Sequence, residues 1–372
     1  MLFNFEEFFK LSNKVMGEIK MSIYFINILL LIFWAIILFW KGTSKLKKAI
    51  FITIATFQWI LISGLRHISI GADTLNYYNI FNSIKDISWT ELFDNLYKIN
   101  FSKAEGRDPG YDIFEKTVQI FTHDYQMFLI IIAVIFTFSI GYFIYKNSSE
   151  PFFSFLIYSC LFYAFFALTG HRQTLATALV VFIGYELIKK RKLIPFILIV
   201  LVASTIHKSA ILFFPFYFLS NIKLTKKYLI SLLTVGILLL LMGNSLYAPL
   251  ANFLGYENYL DTYIGGTETF TFMMVIITLI SLWRRKKMIQ NNKQSIHFLN
   301  AVIIATLLSI LTLDNQSFMR IQQYYSLFIM LIIPEIINTF EKKEKIFIYY
   351  GSAVLLILLF ARNNPQYMFF WQ

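Results

Sequence analysis

The sequence predicts an all-α, polytopic integral membrane protein. Its 372 residues are 58% hydrophobic and 19% aromatic but only 15% charged, which is more apolar surface than a soluble fold can bury. Apolar runs close to membrane-span length recur along the chain, and short clusters of Lys and Arg separate them. The formal net charge of +12 therefore follows the positive-inside pattern, and we expect no nucleic-acid partner.

The chain begins with an atypical segment and continues with twelve apolar runs. Residues 1–20 set Phe and Leu among Glu and Lys, a pattern that favours an amphipathic extension lying on the membrane surface. Placing the N-terminus outside puts every dense cluster of Lys and Arg on the cytoplasmic side. We therefore predict a polytopic membrane domain over 21–361, about twelve membrane segments and a short external tail over 362–372. The predicted segments are 21–40, 49–65, 127–145, 152–168, 173–188, 193–206, 208–220, 228–246, 270–283, 298–313, 321–339 and 346–361.

Two regions depart from a simple series of crossings. Residues 66–126 form one long external loop, in which WTELFDNLYKI predicts a surface helix and DPGYDIFEKTVQIF a turn followed by a second helix. The stretch between Arg191 and Lys223 is too short for two full crossings, which need about 40 residues. It predicts a short or re-entrant hairpin with its tip at residues 205–209, below the outer surface.

Polar residues gather at the external ends of the predicted spans. They occur as Arg66 with Asp73, as the run 169–173, as His207 with Lys208, and between 314 and 324. Gly71 would let the backbone turn so that Arg66 and Asp73 face one cavity. The structural alternatives are an interfacial anchor for each cation and a helix cap for Asp73. Three further residues share one helix face by their spacing: Arg320, Gln323 and Tyr324.

Arginines that converge at a membrane surface suit a phosphate or diphosphate, which they hold through paired hydrogen bonds. A lipid-linked diphosphate would present its headgroup at this depth. The sequence has no HExxH motif, no carboxylate cluster with metal-ligand spacing and no Gly-rich phosphate loop, and its one cysteine is Cys160. We therefore expect no metal and no cofactor. Asp73 or His207 would act as the base on an incoming hydroxyl, and we favour His207 because an ordinary imidazole titrates near neutrality.

Short motifs in a fixed order carry a family resemblance. They are Arg66 followed by GADTLNYYNIF, then DPGYDIFEKT, RQTLATAL, STIHKSAILFFPFYF and RIQQYYSLFIMLIIPEI. Together they resemble the EpsG-like branch of Wzy-type repeat-unit polymerases from about residue 21 to residue 360. The resemblance leads us to expect a Glu before Pro109, where this chain has Asp108, and to expect variation at Lys208.

The resemblance implies a glycosyltransferase of the bacterial cytoplasmic membrane with its active site facing outside. It would polymerise undecaprenyl-diphosphate-linked oligosaccharide repeat units into capsule, exopolysaccharide or O-antigen. The implied partners are the lipid-linked donor and acceptor, the bilayer, and flippase and chain-length regulator proteins. We assign catalysis to His207, Asp73 and Arg172. We assign substrate binding to Arg66, Tyr77, Gln173, Lys208, Arg320 and Tyr324.

Two other classes of protein fit the same pattern. A ligase resembling the O-antigen ligases would transfer finished glycan to another acceptor. A transporter of polysaccharide or lipid-linked oligosaccharide would use a cationic cavity without chemistry, but it would place polar residues along a whole path across the membrane. Here the charged residues gather at one face, and no internal repeat is visible.

Overall fold

The computed structural model describes residues 22–102, 106, 108–254, 267–313, 315–362 and 365–372. Within them the chain is helical without a named strand, and Arg66 and Phe369 form an isolated antiparallel bridge. The all-α polytopic prediction is confirmed, and each of the twelve apolar runs coincides with helix. The predicted amphipathic segment 1–20 lies outside the described residues. The helices are α1 Ile23–Phe39, α2 Lys45–Gly64, α3 Thr74–Ser83, α4 Trp89–Phe101, α5 Pro109–Gln119, α6 Tyr125–Asn147, α7 Pro151–Phe166, α8 at residues 171–189, α9 Leu193–Ile206, α10 Lys208–Leu219, α11 Lys226–Leu254, α12 Glu268–Asn291, α13 Ser295–Thr312, α14 Met319–Ser326, α15 Ile329–Ile337 and α16 Lys342–Ala361.

Four of the described helices are long and apolar enough to cross a membrane: α2, α6, α13 and α16. The 23 residues of α6 give a length of about 35 Å, enough for the hydrocarbon core. Helices α7 and α8 each contain a π-helical turn, at Tyr158–Phe162 and Ala178–Ile183. Such turns are rare and often lie near functional sites. The figure of about twelve membrane segments stays a prediction.

Helices α9 and α10 form the predicted short hairpin. The 14 residues of α9 extend only about 21 Å, which is less than a membrane core. The chain reverses at His207, and α10 begins there as a 3₁₀ turn. Arg191 donates a hydrogen bond to the Tyr217 carbonyl at 3.0 Å and thereby joins the two open ends of the hairpin. His207 is consequently held at the tip of this hairpin.

Three amphipathic helices from the long loop cover one end of the bundle. Ser88 caps α4, and Pro109 starts α5, as the two sequence motifs predict. Tyr125 donates a hydrogen bond to the Thr74 carbonyl at 3.0 Å, which ties α3 to the start of α6. Phe81 and other aromatic residues of these helices form one buried cluster. The helices therefore form a packed layer over the span ends.

The two ends of the bundle differ in character. At the end where α2 begins, Lys48 donates to the Ser149 carbonyl at 2.6 Å, and Lys189 donates to Asn147 at 2.6 Å. At the end where α2 finishes, the backbone N–H of His67 donates to the Met368 carbonyl at 2.9 Å. The C-terminal tail therefore packs at the same end as the long loop, and the external placement of both stays a prediction.

Candidate functional site

A polar cavity of about 100 Å³ lies where the loop layer meets the span ends. Its walls come from α3, α5, α8, the hairpin tip and α14, so distant parts of the sequence converge on it. Six of the nine predicted site residues line it: Asp73, Tyr77, Arg172, Gln173, His207 and Arg320. The other lining residues are Asn76, Asp108, Phe165 and Gly170.

Asp108 connects the walls of this cavity. Its carboxylate lies 3.2 Å from both the Arg172 guanidinium and the His207 Nδ1, and it accepts the backbone N–H of Lys208 at 3.0 Å. Asp108 adopts the left-handed backbone conformation, φ 58°, immediately before Pro109, which is uncommon for a non-glycine residue. The local geometry aims this carboxylate at the hairpin tip, although sequence reasoning did not include Asp108 among the site residues.

The charge state of Asp108 follows from these contacts. Burial alone would raise its pKa, but the charge and hydrogen bond of His207, the charge of Arg172 and the backbone N–H of Lys208 outweigh burial and lower the pKa to about 2. The carboxylate is therefore ionised at neutral pH and can accept a hydrogen bond from His207 Nδ1–H.

Arg172 is held by aromatic rings as well as by charge. Its guanidinium carbon lies 5.5 Å from the ring centres of both Tyr77 and Tyr111, within the range of cation–π attraction. Only 13% of its side chain is exposed. The first turn of α8 thus presents one fixed, permanently charged fork to the cavity.

Arg66 lies beneath the cavity and does not line it. It is 1% exposed; its guanidinium donates to the Ser63 carbonyl and lies 2.7 Å from His171 Nε2. Gly71 does turn the backbone as predicted, with φ 97°, and a Cβ there would lie 2.0 Å from the Leu168 carbonyl oxygen. However, the turn directs Asp73 toward the cavity while Arg66 stays in the core, so the expectation that they share one cavity is wrong.

Asp73 occupies the N-cap position of α3, as the structural alternative predicted, but its side chain makes no capping hydrogen bond. Its carboxylate is instead part of the cavity wall. The Asp73 backbone therefore precedes the first turn of α3, while its side chain lines the cavity.

His171 joins the cavity wall to its support, and sequence reasoning assigned it no role. Its ring stacks on Tyr77 at 4.4 Å between centres, and the Tyr111 hydroxyl lies 3.4 Å from its Nδ1. The Arg66 guanidinium lies 2.7 Å from the other ring nitrogen of His171, Nε2. The sequence feature that could have identified His171 was its position directly before Arg172, at the start of a helix that follows Gly170.

Gln173, Arg320 and Tyr324 form the opposite wall and its support. Gln173 donates to the Arg320 carbonyl at 2.6 Å and to Gln323 at 3.1 Å. Tyr324 is buried, and its hydroxyl lies 3.0 Å from the Ser209 hydroxyl, two residues after His207. The shared face of α14 therefore contacts both α8 and the hairpin. The Lys208 side chain is exposed outside the cavity lining, and its backbone N–H makes the contact with Asp108.

Two further carboxyl groups on α5 lie behind Asp108. Burial raises the pKa of Asp112 to about 6; Arg172 lowers it and Asp108 raises it further. Burial, together with Asp112, raises the pKa of Glu115 to about 9, although Tyr111 and Arg172 oppose that rise. Glu115 is therefore neutral at pH 7, and Asp108 has the lowest pKa of the three carboxyl groups. Among the described residues, no three His, Cys, Asp or Glu side chains are grouped to hold a metal ion.

Comparison with known proteins gives one family. A model of the EpsG family matches residues 49–371, which is nearly the whole chain. No curated protein and no solved structure matches it. The match covers the loop layer, the hairpin and all the residues that form the cavity. The chain therefore belongs to the EpsG family, a family of Wzy-type polysaccharide polymerases.

Proposed function

We propose that this membrane protein polymerises oligosaccharide repeat units carried on a lipid diphosphate, undecaprenyl diphosphate, at the external face of the bacterial cytoplasmic membrane. Family membership supports a polysaccharide polymerase in general. The observation that carries the finer proposal is the junction of Asp108, Arg172 and His207 in one cavity. This junction combines a fixed cation that could stabilise a leaving group with an oriented imidazole that could act as the base on an attacking hydroxyl.

The arginines would stabilise the departing diphosphate of the donor. Arg172 and Arg320 both line the cavity, and guanidinium groups bind phosphate oxygens through charge-assisted hydrogen bonds. Negative charge develops on the leaving oxygen as its bond to the anomeric carbon breaks, so preorganised cations lower the barrier more in a buried site than in water. No metal is required by this proposal.

His207 would act as the base on the acceptor. Because the Asp108 carboxylate would accept a hydrogen bond from Nδ1–H, Nε2 would take the proton of the acceptor hydroxyl as that oxygen bonds to the anomeric carbon. The bond from the anomeric carbon to the diphosphate oxygen breaks, and its electron pair leaves with the lipid carrier. Asp73, in the same cavity, is the second candidate base.

The cellular test is a strain that lacks this protein, complemented with wild type or His207→Ala. Gel analysis should show single lipid-linked repeat units in the deletion strain and with His207→Ala, and a polymer ladder with wild type. Immunoblotting of membranes controls for insertion. If long chains persist without the protein, polymerisation is not its function. If those chains remain undelivered to their final acceptor, the ligase interpretation replaces it.

A further inference from the structure

Helix α3 separates two cavities. Asp73, Asn76 and Tyr77 lie on the side that lines the catalytic cavity. Tyr78, Asn82 and Lys85, spaced i, i+4 and i+7 along the chain, line a second cavity of about 390 Å³ on the other side. A single helix of ten residues is therefore the only described helix that contributes residues to both cavities.

The second cavity has an aromatic floor and a polar rim. Tyr78 and Tyr125 meet edge to face at 5.2 Å, and Phe370 of the C-terminal tail stands at the rim with 45% of its surface exposed. The tail is fixed there because the Phe370 N–H donates to the Leu65 carbonyl at 3.0 Å. The polar lining residues are His67, Asn82, Lys85, His123, Asp124 and Gln126. Apolar walls with a few placed polar groups are typical of small-molecule sites.

The polar residues of this rim include both hydrogen-bond donors and hydrogen-bond acceptors. His67 uses Nδ1 toward Ser69 at 2.8 Å, and Asn82 uses its side-chain oxygen to accept from Lys85 at 2.8 Å. Asp124 uses one oxygen to cap α6, accepting the Gln126 N–H at 2.8 Å. Among the described residues, His67 Nε2, the Asn82 side-chain N–H and the second Asp124 oxygen make no hydrogen bond and can contact a ligand. The Gln126 amide already donates to the Gly64 carbonyl. Hydroxyl groups, which donate and accept at once, match such a mixture better than a simple anion does.

We propose that this second cavity binds a sugar segment of the oligosaccharide substrate that is remote from the reacting bond. The proposal rests on the proposed polymerase function and deepens it. The catalytic cavity, at about 100 Å³, has room for a diphosphate or a reacting hydroxyl but not for a repeat unit. A larger cavity with both donors and acceptors, on the other side of one helix, supplies the missing contact.

The test uses full-length protein in lipid nanodiscs and measures binding of short oligosaccharides cut from the host's own surface polysaccharide. The Lys85→Ala/His123→Ala double variant removes two exposed rim groups, and Asn82→Trp fills the cavity. Each should raise the Kd at least about tenfold. Lys98→Ala, which removes an exposed cation from α4, should bind as wild type does, and His207→Ala, in the catalytic cavity, should weaken binding less than the second-cavity variants do.

Three results would overturn the proposal. The first is that the double variant and Asn82→Trp both bind the oligosaccharide as tightly as wild type. The others are that only His207→Ala loses binding, or that an unrelated malto-oligosaccharide binds wild type equally well. The proposed function fails separately. If the deletion strain still makes long polymer while the binding pattern holds, the cavity is a sugar site of a protein that does not polymerise. In the polymerase, the two second-cavity variants should still join repeat units but yield a shorter polymer than Lys98→Ala.

Discussion

Both ends of the helical bundle carry cations, and the most deeply buried of the described ones, Arg66, lies at the end where α2 finishes. At the end where α2 begins, the connectors carry exposed lysines and arginine, such as Lys190, Arg191 and Lys192. At the other end Arg66 and Arg172 are buried among aromatic rings and hydrogen-bond partners. Exposed cations set orientation through the sum of their charges. Buried cations are costly to desolvate and persist only where specific contacts compensate them. We therefore expect substitutions of the buried cations and their partners to affect folding or activity more than substitutions of the exposed cations.

The largest loss should follow His207→Ala. Removing a positioned general base typically costs about 10² to 10⁴ in rate, so polymer should disappear while the protein stays inserted, because the small side chain leaves the hairpin backbone intact. Polymer gels and membrane immunoblots measure the two effects. Normal polymer from this variant would transfer the role of base to Asp73, for which Asp73→Asn is the matched substitution.

Asp108→Asn should reduce the rate by less than His207→Ala does. The amide keeps the shape but no longer fixes the His207 tautomer or balances Arg172. Because the pKa of Asp108 is about 2, below its ordinary value of 3.8, the ionised form is present throughout the neutral range and stability is lost only as pH falls toward 2. Asp108→Glu restores a carboxylate and should recover part of the activity. Wild-type activity of Asp108→Asn would contradict this assignment.

Arg66→Ala should act on folding. The substitution leaves His171 without its buried partner and opens space beneath the cavity, and losing one partner of a buried polar pair costs about 1–3 kcal/mol. Membrane abundance and thermal stability in detergent should both fall. Lys190→Ala, an exposed cation at the opposite end, is the control and should change neither by a measurable amount. Equal effects of Arg66→Ala and Lys190→Ala on abundance and stability would contradict the expected difference between buried and exposed cations.

Glu115→Gln should give a pH-dependent effect on stability. The folded pKa of Glu115, about 9, is raised above its ordinary value of 4.5, so the neutral form stabilises the fold and stability falls as pH rises between these values. The neutral amide removes that slope, which is at most about 1.4 kcal/mol per pH unit. Melting temperatures measured across this range should converge at low pH and separate in favour of Glu115→Gln at high pH. A constant difference would refute the assignment.

The sequence was sufficient for the features that depend on local pattern. Apolar runs predicted the helices because a membrane requires them, and the 31-residue interval between Arg191 and Lys223 predicted the short hairpin from length alone. The positions of Asp108, Arg66 and His171 could not be derived in this way. Each depends on which loop residue reaches which helix end, and that is decided by packing of the loop layer. Asp108 in particular is separated from His207 by 99 positions.

The most direct test of the central claim is polymerisation by purified protein in nanodiscs supplied with lipid-linked repeat units and a metal chelator. Wild type should lengthen the units with release of lipid diphosphate, whereas His207→Ala should produce neither polymer nor released diphosphate. The Lys190→Ala variant should match wild type. If His207→Ala released diphosphate and formed polymer at the wild-type rate, the cavity around Asp108, Arg172 and His207 would not be the site of catalysis.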